Sequence, residues 1–419
     1  MSIKYGPQFI SSKLEELSFL SSLTKTSFSG FNSQRWNYPA FIEHKFKLMQ
    51  HLRADYIKQI TEPVTKRTST TFQWGDMTYN YLYQRQGISI SRGDKLISYS
   101  INKSPESIFE FFTSSGQSAG LCVFEFIKNE FPKMTLMSLK DNNTYYESND
   151  VIQLCHIPSN KDGKCFFYDG SFHYSFSWLT EILKDIELFV FDTTLFSYGS
   201  KQLQEVLDHL IQKSIPTFLI RSHLKLDSLG AEFSSLGSIA ALNMEKLPDL
   251  QTNRMSKIAL AKYLSTTGSY ASIDQIYPFL GNPEFIKISN SRSERIRNFG
   301  TALTEGLQKL IKVEHYSVSV IQTWHSHYFY LKYPSSKEID MHNEFEKLKM
   351  ITEIPAFYCD SFGFDFLTLT CLPILDSTSN SYMYRFSVPD LELESIDFVI
   401  DFFSKFLKKL NEKLSTFSG

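Results

Sequence analysis

The feature that most narrows the fold is a pair of apolar runs separated by a helical stretch. Glu187-Leu188-Phe189-Val190-Phe191 ends at Asp192 in the form of a buried parallel strand, and residues 215–220 repeat that form. Residues 202–213 between them carry helical periodicity. Strand, helix and strand in succession predict a right-handed crossover, and hence a parallel sheet covered on both faces. The fold class this implies is α/β.

The chain has 419 residues, a length that calls for a large domain and a smaller one. Residues 1–61 read as an N-terminal helical segment, expected to pack on a domain surface or a dimer partner. Residues 61–72 are rich in Thr, Ser and Lys around Pro63 and read as an exposed connector. The large domain is expected over 62–285. Within it, helices are predicted over 104–112, with Ser104 as N-cap, and over 118–129, with short strands at 134–139 and 151–155. The texture changes near residue 285, so a smaller α+β domain is expected over 286–419. It begins with a basic amphipathic helix over 291–311, continues with strands at 317–322 and 328–333, and closes with a helix over 393–414.

Charge and cysteine content exclude several functions. Lys and Arg number 43 against 45 Asp and Glu, a net charge of −2, so no basic surplus exists to hold a phosphate backbone, and nucleic-acid binding is disfavoured. No run approaches the ~20 apolar residues of a membrane span. The five cysteines form no Cys-x-x-Cys pair, which argues against a zinc ribbon or a disulfide framework and for a reducing cytoplasm.

Ligands of open α/β sheets bind beyond the carboxyl ends of strands. One such end is Asp192; another is the segment Arg221-Ser222-His223-Leu224-Lys225. Upstream, the Ser/Gly-rich turn at 114–120 opens a helix, the natural seat of an anion. An acid, a lysine and a phosphate cradle on neighbouring strand ends match pyridoxal 5'-phosphate. Its aldehyde needs an amine, its pyridine nitrogen a carboxylate, and its phosphate backbone N–H donors.

Six short segments carry a resemblance: Tyr81-Leu82-Tyr83-Gln84-Arg85, Ser115-Gly116-Gln117-Ser118-Ala119, Phe191-Asp192-Thr193-Thr194, Ser222-His223-Leu224-Lys225, Ser361-Phe362-Gly363 and Tyr384-Arg385-Phe386-Ser387-Val388. In this order they resemble the fold-type-I pyridoxal-phosphate enzymes, and specifically the cystathionine γ-synthase, cystathionine β-lyase and methionine γ-lyase family. The resemblance implies that Lys225 is the Schiff-base lysine and that Asp192 pairs with the pyridine nitrogen. Ser115, Gly116, Gln117, Thr194 and Ser222 would surround the cofactor phosphate. Tyr83 and Arg85 would reach across a homodimer or homotetramer to the neighbour's phosphate. Tyr145 or Tyr146 would stack on the ring, while Arg385 and Ser361 would bind the substrate. Departures from the family pattern also stand in the chain: Gln86-Gly87-Ile88 replaces Asn-Pro-Thr, Leu224 replaces a threonine, and Thr193 replaces an asparagine. The implied activity is a lyase or replacement reaction on an amino acid with a leaving group at Cβ or Cγ. An aminotransferase is the rival, disfavoured by Glu232 where aminotransferases tend to carry a phosphate-binding arginine. A non-catalytic cofactor-binding protein is a third reading.

Other residues receive plainer roles. His325 and His327 lie two apart in an expected strand, but no carboxylate pattern completes a metal site around them. Cys359 reads as a buried structural thiol. Arg292, Glu294, Arg295 and Arg297 read as the solvated face of a helix. His223, beside Ser222, is a candidate for the cofactor's edge.

Overall fold

A computed structural model describes residues 5–32, 36–60, 69, 71–74, 77–80, 89–91, 96, 98–99, 101, 108–132, 134–138, 164–169, 176–247, 253–335, 338–352, 354–359, 361–376 and 379–417. The chain groups into two compact units. One combines Ser18–Gly30 with Lys45–Asn290; the other combines Met1–Leu17, Phe31–His44 and Ser291–Gly419. The expected α/β class is what the structure holds. Among the described residues no helix is long and apolar enough to cross a membrane.

Helices α1 (Pro7–Leu23) and α2 (Tyr38–Ile60) open the chain. They bury Phe19, Leu20, Leu48, Leu52 and Tyr56 completely or nearly so, and are therefore integral parts of the core. A small antiparallel sheet follows, made of β1 (Thr71–Trp74), β2 (Met77–Asn80) and β3 (Ser89–Ser91).

The large sheet begins with β4 (Ile108–Thr113), α3 (Gly116–Glu130), β5 (Thr135–Ser138), β6 (Lys164–Tyr168) and α4 (Phe176–Ile182). It continues through β7 (Leu188–Asp192), α5 (Lys201–Gln212), β8 (Thr217–Ser222), β9 (Gly237–Leu242) and α6 (Asn253–Thr267). The strand order is β4-β9-β8-β7-β6-β5, with β5 to β8 mutually parallel and β9 antiparallel to both its neighbours. The predicted crossover is present as β7–α5–β8. Ser200 caps α5 by accepting from the Leu203 amide at 3.2 Å, and Leu203, Val206, Leu207 and Leu210 form its buried stripe.

Alternation decides the two faces of the sheet. Phe167, Val190, Phe218 and Ile239 meet Phe126 and Ile127 of α3 and Leu260 and Leu264 of α6 in one core. On the opposite face, Phe166 stacks on Phe189 and Tyr168 on Phe191, each pair with ring centroids 5.9 Å apart.

The structure corrects the helix expected over 104–112. Ile-Phe-Glu-Phe-Phe-Thr is the strand β4, paired along its whole length with β9. A run of aromatic and β-branched residues with a ready strand partner outweighs a local capping signal. The strand expected at 151–155 lies outside the described residues.

The second unit holds α7 from Ser291 onward (Pro283–Glu314 in full), β10 (Ser319–Gln322), β11 (Tyr328–Tyr333), α8 (His342–Thr352), β12 (Ala356–Tyr358), β13 (Leu367–Asp376), β14 (Ser379–Ser387) and α9 (Ile396–Phe417). Its five-stranded sheet runs β10-β11-β14-β13-β12. His325 and His327 belong to the turn between β10 and β11, and not to a strand as expected. The turn reverses at Ser326 (φ 52) and is closed by the Thr323 hydroxyl donating to the Tyr328 carbonyl at 2.7 Å. Gly300 of α7 makes room for it, since a Cβ there would collide with the Ser326 carbonyl.

Both imidazoles are buried, at 3% and 2% exposure. Burial pushes His327 down to about 3, with Arg292 and Arg297 adding to the effect, and holds His325 well below its ordinary value. The folded chain therefore keeps both neutral, whereas an unfolded chain protonates them below about 6.5. Their contribution to stability is complete above that pH and is lost as pH falls towards 3. Each proton gives a slope of about 1.4 kcal/mol per pH unit in that window. His327→Gln should flatten the fall in denaturation midpoint between pH 7 and pH 4.5; an unaltered slope would show that His327 does not titrate on unfolding.

Candidate functional site

Three chain segments converge at one end of the large sheet. The register sets Thr113, the last residue of β4, beside Gly237, and Gly237 beside Ser222, the last residue of β8. Asp192 ends β7 opposite Ile220 of β8. These are the carboxyl ends of β4, β7 and β8, where the sequence placed its candidate residues.

Two glycines allow the backbones to meet there. A Cβ on Gly116 would lie 2.5 Å from Ser222 Cβ and 2.9 Å from its Cα. A Cβ on Gly237 would collide with the Ser115 carbonyl. The amino terminus of α3 is thus seated directly on the end of β8. Ser115 caps the helix in extended conformation, its hydroxyl accepting from the Ser118 amide at 3.0 Å, and its carbonyl takes the Ala119 amide. The amides of Gly116 and Gln117 remain as the end-facing donors of the helix, on the positive end of its dipole.

Hydrogen bonds join the other two segments. The Thr194 amide donates to Asp192 Oδ1 at 2.9 Å, and the Ser222 amide donates to the Thr194 hydroxyl at 2.9 Å. Asp192, Thr194, Ser222 and Lys225 are all half-buried, which leaves them within reach of a ligand. Lys225 follows Ser222 by three residues, at the start of a short helical turn over Leu226–Ser228. The structure therefore brings together the Ser115–Gln117 turn, Asp192, Thr194 and Ser222, with Lys225 in the loop that leaves Ser222. Tyr83, Arg85, Tyr145 and Tyr146 lie outside the described residues.

Beneath these residues lies a polar network that the sequence reading missed. The Arg221 guanidinium grips Asp227 through Nε (2.6 Å) and Nη2 (2.7 Å), and also donates to the carbonyls of Thr193 and Phe196, each at 2.7 Å. His223 Nδ1 faces Asp227 Oδ2 at 2.7 Å, and its Nε2 faces the Ser238 hydroxyl at 2.9 Å. Burial alone would raise the Asp227 carboxyl; the Arg221 charge and the His223 hydrogen bond hold it far below the usual carboxylate range. Burial keeps His223 below its ordinary value despite the pull of Asp227, so Nδ1 donates and Nε2 accepts. The network ties the Lys225 loop to the loop that follows Asp192. A clue was present in the spacing, since Arg221, His223 and Asp227 flank Ser222 and Lys225.

Ser238, His223 and Asp227 repeat the distances of a hydroxyl–imidazole–carboxylate relay. All three are at most 2% exposed, and Arg221 already occupies the carboxylate. The arrangement is a brace without substrate access. It also corrects the placement of His223, which is enclosed in the unit's interior and not at a pocket edge.

Arg385 and Ser361 belong to the other unit. Arg385 lies on β14 with its guanidinium 5.5 Å from the centroid of the Tyr328 ring, and Phe362, next to Ser361, packs against the same ring at 5.5 Å. Tyr328 therefore links the two candidates. Cys359 is half-buried and not enclosed, a correction that follows from its place beside the exposed edge strand β12. The expected solvated helix face is corrected at Arg292 and Arg295, whereas Glu294 and Arg297 stay partly exposed and pair with each other. Arg292 is 1% exposed, with Nη2 on Asp365 at 3.2 Å, and Arg295 holds Asp390 through Nε at 3.0 Å.

No protein-family profile matches the chain, and no curated protein matches its sequence. Among solved structures it is similar to an aromatic amino acids aminotransferase from Psychrobacter sp. B6 cocrystallised with aspartic acid, at 15% identity over 72% of this chain and 76% of that one (TM-score 0.46). It is similar to an aromatic amino acid aminotransferase from Burkholderia cenocepacia at 12% identity over 98% and 91% (TM-score 0.47). It is also similar to an apo methionine gamma lyase from Micromonospora echinospora at 14% identity over 71% and 81% (TM-score 0.41).

Gly116→Ala should force the helix terminus away from Ser222 and cost roughly 1–3 kcal/mol of stability, read from chemical denaturation. Asp227→Asn should cost more, about 3–5 kcal/mol, because it strands the Arg221 charge in the interior. Wild-type stability in the second variant would refute the brace.

Proposed function

We propose that the chain is a pyridoxal-phosphate-dependent enzyme acting on an amino acid, and within that class a lyase or replacement enzyme for substrates with a leaving group at Cβ or Cγ. The observation that carries this reading is the seating of the α3 terminus on Ser222 through Gly116. It supports reading the α3 terminus as an anion cradle, with Asp192 as the carboxylate and Lys225, three residues beyond Ser222, as the amine. That is the donor set this cofactor requires, and the glycine-lined cradle fits its phosphate. The six ordered segments of the sequence support the same assignment.

Each residue then has a task. The amides of Gly116 and Gln117, with the hydroxyls of Ser115, Ser222 and Thr194, would hold the phosphate. Lys225 Nζ would bond the aldehyde carbon at rest and, once substrate has displaced it, take and return the proton at the substrate Cα. Asp192 would keep the pyridine nitrogen protonated, oriented by its bond from the Thr194 amide. When bound, the cofactor supplies an electron sink for the carbanion at Cα. Arg385 would take the substrate α-carboxylate, a role suited to a planar guanidinium and not to a lysine.

Addition of pyridoxal phosphate to the purified chain should produce a visible absorption band, and Lys225→Ala should lose the band and all turnover. Asp192→Asn should keep the cofactor and lose most of the rate. Arg385→Ala should keep the resting band and lose roughly 2–5 kcal/mol of transition-state binding, about 30- to several-thousand-fold in kcat/KM. A Lys225→Ala protein that retained the band would refute the site. Elimination releases ammonia without an added keto acid; a strict requirement for a keto acid would instead make the chain an aminotransferase, the reading that Glu232 disfavours.

A further inference from the structure

The first turns of α1 contain a lysine with no access to water. Lys13 is 0% exposed, and its Nζ lies 2.5 Å from Asp365, 2.5 Å from Asp390 and 3.2 Å from Glu16. Arg292 and Arg295 join the same three carboxylates, so three cations face three anions in one enclosed cluster. Tyr38 adds its hydroxyl to the backbone carbonyls of Asp365 (3.1 Å) and Asp390 (2.7 Å). Burial would lower the ammonium, and Asp365, Asp390 and Glu16 outweigh that effect and keep it charged.

Such clusters seldom stabilise a fold better than apolar packing of the same volume would. What this one holds is therefore informative. Asp365 ends the loop that begins at Ser361, and Asp390 lies three residues beyond β14, the strand of Arg385. Arg292 Nη1 fixes the crest of that loop by donating to the Gly363 carbonyl at 2.7 Å, where the backbone turns through φ 84. At the loop's start, the Thr368 hydroxyl donates to the Ser361 carbonyl at 2.8 Å, and Thr368 pairs with Ser387 of β14. One ammonium from the N-terminal helix thus clips the Ser361 loop and the outgoing end of the Arg385 strand together.

We propose that Lys13 is a positioning residue that sets the affinity for the carboxylate of an amino-acid substrate, by bracing the Ser361–Asp365 loop beside Arg385. The proposal rests on the function proposed above for Arg385 and Ser361. Its consequence is that α1, far from both residues in sequence, governs KM.

The test compares Lys13→Met, Lys13→Arg and the charge-balanced pair Lys13→Met with Asp365→Asn, which guards against simple unfolding by unpaired carboxylates. Hydrogen exchange is followed in the cofactor-free protein over residues 361–366. Amino-acid binding is followed in the cofactor-loaded protein through the visible band. The charge-balanced pair should exchange about tenfold faster or more in that loop, with β13 and α9 unaltered. Its KM for amino acid should rise by a similar factor while kcat and the resting band stay near wild type, and Lys13→Arg should restore both. Unaltered exchange in the loop, or an increase spread evenly over the whole unit, would overturn the brace. A wild-type chain that takes up no pyridoxal phosphate would overturn the proposed function instead, and the exchange result would still judge Lys13.

Discussion

The large unit depends on a contact closer than any side chain permits. With hydrogen in place of Cβ at Gly116 and Gly237, the turn after β4 can lie against the end of β8 and the start of β9. That approach brings the α3 terminus to the strand ends where two further hydrogen bonds meet. The helix dipole points at Ser222, the Thr194 hydroxyl takes the Ser222 amide, and Asp192 is held by the Thr194 amide. A methyl group at position 116 would collide with Ser222 and push the α3 terminus off the end of β8.

Each unit also encloses a charge cluster that fastens a loop. In one, Arg221 and Asp227 tie the Lys225 segment to the carbonyls of Thr193 and Phe196. In the other, Lys13, Arg292 and Arg295 tie the loop before β13 and the segment after β14 to α1 and α7. In both, cations and carboxylates are paired and further satisfied by carbonyls, which is the condition under which buried charge is tolerated. The shared result is rigidity in segments that would otherwise be ordinary connections.

What could be read from the sequence was what is local. The β7–α5–β8 unit announces itself through continuous apolar runs and a capped amphipathic helix, and Ser115 through its place before a helix. Strand β4 is not legible locally because its identity depends on β9, far along the chain. Arg292 and Arg295 looked like a solvated face because the acids that bury them, Asp365 and Asp390, are distant in sequence. Lys13 was invisible for the same reason: nothing in an isolated helix announces a partner at position 365. His223 stands out in the sequence for its neighbours, but its partner Ser238 reaches it only through the pairing of β9 with β8.

Strand β9 has a bearing on the order of assembly. Its residues, Gly-Ser-Ile-Ala-Ala-Leu, are mostly small and wholly buried, and it runs against the direction of both neighbours. Strands β5 to β8 can add to one another as successive crossover units along the chain, whereas β4 is joined to the sheet through β9. The turn at Ser115 and Gly116 is made early in synthesis and reaches Ser222 only after the last strand of the sheet has inserted. Pairings of such long sequence separation are the slow ones in folding. The contact of Gly116 with Ser222 is thus complete only in a chain whose central sheet is finished, so protection of the α3 terminus would itself report correct folding.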